Sequence, residues 1–373
     1  MLFIKTCPPI ESMTCANQMD SKVEPARSVL VKKMRIFGLI CAFCFILSAC
    51  ATKLDLPHEW HSWKATHGKS YESDHEELGR HIVWLSNKKY IDEHNKYSET
   101  FGYTLKMNKF GDLTNAEFSE LMTCVQDYKR HNATDKLLSM KKGIKISEYK
   151  ASGVSSLPDT VDWRTGGAVT WVKDQLRCGC SYAFAAAAAL EGAAALARGS
   201  LVSLSAQNIV DCSIPFGNHG CSCGDVNNAF MYVIDNGGLD TENVYPYVSK
   251  QDGCKFKSNG IGATATGIIR IASGDETSLA SALATAGPVA VYIDASHSSF
   301  QFYHYGVLNV PNCSRTNLSH AMILIGYGKY GGREYWLLKN SWGPNWGTAG
   351  YIMMSKGKSN QCGIATYASF PTL

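Results

Sequence analysis

Gln175-Leu176-Arg177-Cys178-Gly179-Cys180-Ser181-Tyr182-Ala183-Phe184, running into the alanines of 185–189, is the stretch on which the fold turns. Alanine has the highest helix propensity, so this run predicts a long helix from Ser181 to about Ala197. A hydroxyl in the first turn of such a helix lies beside backbone N–H groups that have no intrahelical acceptor. It also sits at the positive end of the helix dipole, which stabilises developing negative charge. Ser181 is a candidate nucleophile by a resemblance given below. Cys180 competes with it, but one residue along a helix is a rotation of about 100°, and only one of the two can face a given base.

A nucleophile needs a base within reach, and the base needs a third group to fix its tautomer. His320, in Leu318-Ser319-His320-Ala321-Met322, precedes an apolar run to Gly326-Tyr327-Gly328 that reads as a strand. Asn340 follows in Lys339-Asn340-Ser341-Trp342-Gly343, with a second Trp-Gly at Trp346-Gly347. Gly331-Gly332 predicts a hairpin turn between strands at Ile323–Tyr327 and Glu334–Lys339. That turn folds the histidine and asparagine segments onto each other.

The rest of the 373-residue chain frames this core. A formal charge of +4 without a basic block excludes the usual electrostatic signature of a nucleic-acid binder. Fourteen cysteines point to an oxidising compartment. Met34-Arg35 and the apolar run Ile36–Leu47, followed by Ser48, Ala49, Cys50 and Ala51, read as a secretory signal over 34–51, too short to span a bilayer. Leu47-Ser48-Ala49-Cys50 also has the form of a lipoprotein box. Residues 1–33 form an extension ahead of the signal, and Met34 is an alternative start. Sequons stand at Asn132, Asn312 and Asn317.

Between 52 and 125, Glu76, Arg80, Trp84, Asn87, Ile91 and Asn95 recur at steps of three and four, along one helix face. Asn108-Lys109-Phe110-Gly111-Asp112 follows. Residues 126–156 are polar and lysine-rich and read as a linker with a processing site. A catalytic domain is expected over 157–373.

These motifs, in this order, resemble those of the papain-like cysteine peptidases, in particular the cathepsin L branch with its inhibitory propeptide at 52–125. The resemblance implies an α+β, papain-like two-lobed fold: a helical left lobe at about 157–270 and an antiparallel β right lobe at about 271–373. The family's catalytic site would fall on Ser181, His320 and Asn340, with Gln175 and the Ser181 backbone N–H forming the oxyanion hole and Trp342 covering the His320–Asn340 bond. Ser181 replaces the family's cysteine.

The resemblance also implies three bridges among the eight cysteines of the catalytic region: Cys178–Cys221, Cys212–Cys254 and Cys313–Cys362. Cys180 and Cys223 remain. They are open to a fourth disulfide with each other, if the Cα separation allows it, or to two free thiols. A metal is not expected, since the other cysteines are assigned to bridges. Cys223 stands where the family has a cleft glycine, Gly224 keeps the second one, and Tyr367 lies at the floor of the main specificity pocket and shortens it.

The Ser181 replacement is similar to that of the silicatein branch, as are the stretch from Gln207 to Cys221 and the ending from Cys362 to Leu373. That similarity implies hydrolysis and condensation of silicon alkoxides or silicic acid by a secreted zymogen, without a cofactor. The implied partners are such a silicon compound or a peptide, the chain's own propeptide, and further copies assembling into filaments; no membrane is implied after signal removal. The implied location is the secretory pathway, extracellular or a lysosome-like or silica-depositing vesicle. A weak papain-type peptidase and a non-catalytic scaffold are the competing readings. Here the segment before the histidine carries two separated serines, Ser314 and Ser319, where many silicateins have a serine run.

Overall fold

The structure is a computed structural model that describes residues 56–124, 144–151 and 156–373. The signal at 34–51, the extension at 1–33, Asn132 and most of the 126–156 linker lie outside the described residues. Two compact units divide at Trp63 and Lys64. In the first, the helix that begins at His58 (α1, His58–His67) stacks Trp60 on Trp63 with ring centroids 5.2 Å apart.

The second unit holds everything else. Helix α2 (Asp74–Asn95) opens with Ser73 accepting from the Glu76 N–H. Two of its repeated residues, Arg80 and Asn87, hold the 108–113 loop. Arg80 pairs with Glu117 at 2.8 Å and donates to the Asp112 carbonyl. Asn87 donates to the carbonyls of Gly111 and Leu113, both at 2.9 Å. Asn95 and Leu105 exchange two bonds, which seats strand β1 (Tyr103–Leu105) against the helix. Trp84 and Ile91 are the buried apolar members of the series. Helix α3 (Asn115–Met122) follows behind a capping box of Thr114 and Glu117.

Among the described residues the strands form a ten-stranded sheet and a two-stranded one, β4 (Leu239–Asp240) with β5 (Ile261–Ala263). The large sheet contains β1, β2 (Lys145–Glu148), β3 (Val161–Asp162), β6 (Gly267–Arg270), β7 (Val289–Ile293), β8 (Tyr303–Leu308), β9 (His320–Tyr330), β10 (Arg333–Lys339), β11 (Tyr351–Ser355) and β12 (Ala368–Thr372). Its order is β1-β8-β11-β10-β9-β7-β12-β6-β2, with β3 on β9. Gly331 and Gly332 take φ of 56° and 78°, and Arg333 pairs with Tyr330. Two successive positive-φ residues are what a tight two-residue hairpin requires, and glycine meets that demand without a steric cost.

On the other side, helix α4 (Ser181–Arg198) runs one residue past the expected end near Ala197 and is capped by Gly199, φ 70°, whose N–H bonds the Ala195 carbonyl. It shares one core with α5 (Ala206–Cys212) and α6 (Val226–Asp235), while α7 (Glu276–Ala286) packs into a second core with β7 and β9. The alanines let neighbours approach closely; Gly192 lies against Pro288 so tightly that a methyl group there would meet its ring at 2.7 Å. The helical and β lobes expected from the resemblance are both present. No described helix is long and apolar enough to cross a membrane.

Candidate active site

Ser181 is the first residue of α4, and the N-cap before it, Cys180, offers no side-chain acceptor. The Cys180 carbonyl takes the Ala183 N–H at 2.9 Å, so of the first-turn donors the Ser181 and Tyr182 N–H groups are those left to an anion beside Ser181. His320 is the first residue of β9 and Asn340 directly follows β10, so the hairpin brings them together. Their side chains bond at 2.8 Å, His320 Nε2 to Asn340 Oδ1.

The same Oδ1 accepts from the Ser341 N–H at 2.8 Å, which identifies it as the oxygen of the amide. Nε2 therefore carries the proton, and Nδ1 is the basic nitrogen. Nδ1 is buried and has no hydrogen-bond partner among the described residues. Burial lowers the His320 pKa to about 4, only partly offset by the bond to Asn340. The ring is neutral at pH 7, as a general base must be.

The expected hydroxyl–imidazole bond is not formed. Ser181 Oγ accepts instead from the Ala321 N–H at 3.2 Å, one peptide beyond His320. That backbone donor competes for the oxygen while the cleft is closed, and a rotation about the Ser181 side-chain bond is what separates this state from one poised for proton transfer.

Gln175 is fully buried. Its Oε1 accepts from Ser341 Oγ at 2.6 Å and its Nε2 donates to the Cys178 carbonyl at 3.0 Å, so the amide is held with its N–H₂ toward the segment that carries Ser181. Trp342 lies over His320 with centroids 4.5 Å apart. Phe110 and Phe118, both N-terminal to the catalytic region, pack edge-on against Trp342 at 5.5 and 5.2 Å. The 108–113 loop and α3 thereby press on the indole that covers His320. Lys109 adds an ion pair to Asp174, next to Gln175.

That packing sets a pH dependence. The folded His320 pKa lies below the ordinary 6.5. As pH falls through the window from 6.5 to about 4, the unfolded chain binds a proton that the folded zymogen does not. Stability is full above that window and declines as pH drops across it. Removing the propeptide uncovers Trp342 and lets the His320 pKa rise toward its ordinary value. An imidazole NMR titration of the zymogen and of the processed protein freed of its propeptide is expected to show this upward shift; identical titration curves would refute it.

Tyr367 is half-buried and donates to Asp225 Oδ2 at 2.9 Å, while Asn227 donates to it at 2.6 Å. Burial and the nearby Asp225 carboxylate push its pKa well up. Gly224 is buried, and a β-carbon on it would meet the Tyr182 ring at 2.6 Å.

Three bridges join the expected cysteines: Cys178–Cys221, Cys212–Cys254 and Cys313–Cys362. The Cys180–Cys223 pairing does not occur. Gly179 and Ser222 form a parallel bridge, which would carry both following side chains to one face if the chains stayed extended. Cys180 instead turns into the helix cap at φ −111°, ψ 29°, and Cys223 adopts φ 85°. The Cys180 thiol is buried at 3.2 Å from the Tyr247 hydroxyl, with its pKa pushed up to about 12 by burial. Cys223 bonds Cys124, immediately after α3, across a Cα separation of 5.7 Å.

Sequence reasoning overlooked Cys124, Ser341 and Glu191. For Cys124 a signal existed, since it brings the cysteines downstream of the signal region to nine, an odd count. Ser341 and Glu191 act through contacts that only the assembled structure creates.

Residues 157–372 match the family described as papain family cysteine protease, and residues 60–118 match the cathepsin propeptide inhibitor domain. The chain belongs to the papain family of cysteine proteases and carries that family's propeptide, an intramolecular inhibitor. Within the family it is 73% identical over 340 residues to silicatein of Petrosia ficiformis, covering 91% of this chain and 99% of that protein. It is 44% identical to human cathepsin L2, covering 91% of this chain and all of that protein. Among solved structures, digestive procathepsin L 3 of Tenebrio molitor superposes with a TM-score of 0.76 at 40% identity, over 84% of this chain and 98% of that one.

Proposed function

We propose that the chain is a silicatein-like hydrolase, made as a secreted zymogen, in which Ser181, His320 and Asn340 hydrolyse and condense silicon alkoxides or silicic acid. The observation that carries this reading is a neutral imidazole with Nε2–H held by Asn340 and Nδ1 unpartnered, beside a serine at the open N-terminus of a helix. Once the propeptide leaves, the Ser181 hydroxyl turns from the Ala321 N–H to Nδ1. Its oxygen attacks silicon while Nδ1 takes the proton. The five-coordinate intermediate is stabilised by the Gln175 amide and the Ser181 backbone N–H. Its collapse expels an alcohol, protonated by His320, and leaves a Ser181–O–Si linkage. Water attacking that linkage releases a silanol, and a second silanol attacking it releases a siloxane; either regenerates the serine.

Silicon suits a weak nucleophile because it expands readily to five ligands. An aliphatic hydroxyl cannot be held as an anion as a thiol can, and Asn340 supplies no charge to an imidazolium. Peptide hydrolysis by this site is accordingly slow. A residual peptidase is the second reading, favoured by the retained Gln175 and His320–Asn340 pair and by the likeness to cathepsin L2. The signal read at 34–51 and the four disulfides support a secretory route, ending outside the cell or in a lysosome-like or silica-depositing vesicle. Assembly of processed copies into filaments belongs to the same proposal.

The test compares processed wild type with Ser181→Ala on tetraethoxysilane and on a fluorogenic peptide. Loss of the alkoxide rate by roughly 10²–10⁴-fold is expected, the scale of general-base catalysis. Unchanged silica precipitation by the alanine variant would leave a scaffold, and selective loss of peptide cleavage would leave a peptidase.

A further inference from the structure

The disulfide between Cys124 and Cys223 joins two parts of the chain that maturation is expected to separate. Cys124 lies N-terminal to the 126–156 processing segment, and Cys223 lies in the wall of the cleft, beside Gly224 and two residues past the Cys178–Cys221 bridge. The Cys124 N–H donates to the Ser319 carbonyl at 2.5 Å, and its sulfur is 4.0 Å from the Gly179 carbonyl. Residue 124 therefore touches the peptide before His320 on one side and the segment before Ser181 on the other. It crosses the groove at the reacting groups.

We propose that this bridge is a thiol-exchange site that locks the propeptide in the cleft, so that peptide-bond cleavage does not by itself open the enzyme. A cut anywhere in 126–156 leaves the fragment ending near Cys124 covalently bound to Cys223. Release needs an external reductant, either a dithiol or two equivalents of a monothiol. The attacking thiolate bonds to one cystine sulfur, and the other departs as thiolate and is protonated. A second thiol then resolves the mixed disulfide. The net result is one disulfide reduced to two cysteine thiols and two external thiols oxidised to a disulfide.

Two features support the assignment. Cys223 holds φ 85°, the left-handed region in which glycine is at ease and a β-carbon is strained. A cysteine at such a position offers no packing advantage over glycine there; its thiol is the gain. And the neighbouring free thiol cannot resolve the bridge from within. Cys180 is fully buried, bonded to Tyr247, and turned out of the extended geometry that would have aimed it at Cys223. The trigger has to come from solution. In an oxidising compartment the processed protein stays closed until it meets a thiol.

The test uses the full chain with a site-specific protease sequence inserted in 126–156. After cleavage, denaturing electrophoresis without reductant is expected to show one linked species and no free propeptide fragment. Dithiothreitol should release the fragment completely, and Cys124→Ser should release it without reductant. A peptide mass map of the unreduced wild type keeps the idea falsifiable if that variant fails to fold: it is expected to contain a Cys124–Cys223 linked peptide. A free fragment without thiol, or a Cys180–Cys223 linked peptide in the map, overturns the proposal.

Discussion

Ser181→Cys in the processed protein is expected to raise peptide hydrolysis by roughly 10²–10⁴-fold, the share of the barrier that general-base assistance carries. A thiol at the uncapped N-terminus of α4 meets open backbone N–H groups and the helix dipole, both of which pull its pKa down. With the cleft open, His320 can take its proton before substrate arrives, so that a thiolate–imidazolium pair replaces the concerted transfer a hydroxyl demands. Gln175 and the His320–Asn340 bond remain in place to serve it. The peptide rate should persist to lower pH than that of the serine protein. In the zymogen no gain is expected, because Cys124 crosses the groove and Phe110 and Phe118 hold Trp342 over the ring. Steady-state peptide cleavage across pH, in the zymogen and after processing and release of the propeptide, measures this. A folded, processed variant with no gain would mean that the cleft has lost its peptide-binding geometry.

Glu191→Ala is expected to cost about 3–5 kcal/mol of stability, the usual loss when one partner is removed from a buried charge network. Glu191 is 2% exposed, on α4. It accepts from Lys173 at 3.1 Å, from the Thr170 hydroxyl at 2.6 Å and from the Leu204 N–H at 2.9 Å. Thr170 in turn accepts from Lys339 at 3.0 Å, the residue before Asn340. Burial already draws the Lys339 pKa down to about 8, against the attraction of Glu191. Without Glu191 the Lys339 pKa falls further, and Lys173 keeps only Glu242 at 3.4 Å and the Leu204 carbonyl at 2.8 Å. The network also connects the helix that carries Ser181 to the strand end that carries Asn340, so activity should fall with stability. Lys339→Met, which replaces the buried cation with an apolar chain of similar length, is expected to lose less. Denaturant midpoints at constant m-value separate the two; equal midpoints for wild type and Glu191→Ala would show that the network contributes nothing.

Much of the fold was legible from local signals. The alanine run specifies α4, two adjacent glycines specify the β9–β10 hairpin, and the evenly spaced residues of α2 mark a face with a fixed partner. These are short-range preferences that survive in almost any surroundings. The cysteine at 223 could not be read in the same way. Two residues downstream of a bridge, Cys180 and Cys223 appear symmetric on paper. The structure breaks that symmetry because one enters a helix cap and the other a left-handed turn. Backbone conformation, rather than sequence distance, decided which sulfurs could meet.

The amino-acid sequence by itself determined the chemistry on offer: a hydroxyl, an imidazole and an amide, on a helix start and a hairpin, behind a propeptide. Their types and order are properties of the chain. Tertiary structure decided the state of that chemistry. It emptied the histidine of charge by burying it, turned Ser181 toward the Ala321 N–H, and carried Cys124 across the groove to Cys223. Each depends on groups far apart in sequence meeting in a space with little water, where desolvation and a single competing donor outweigh any local preference.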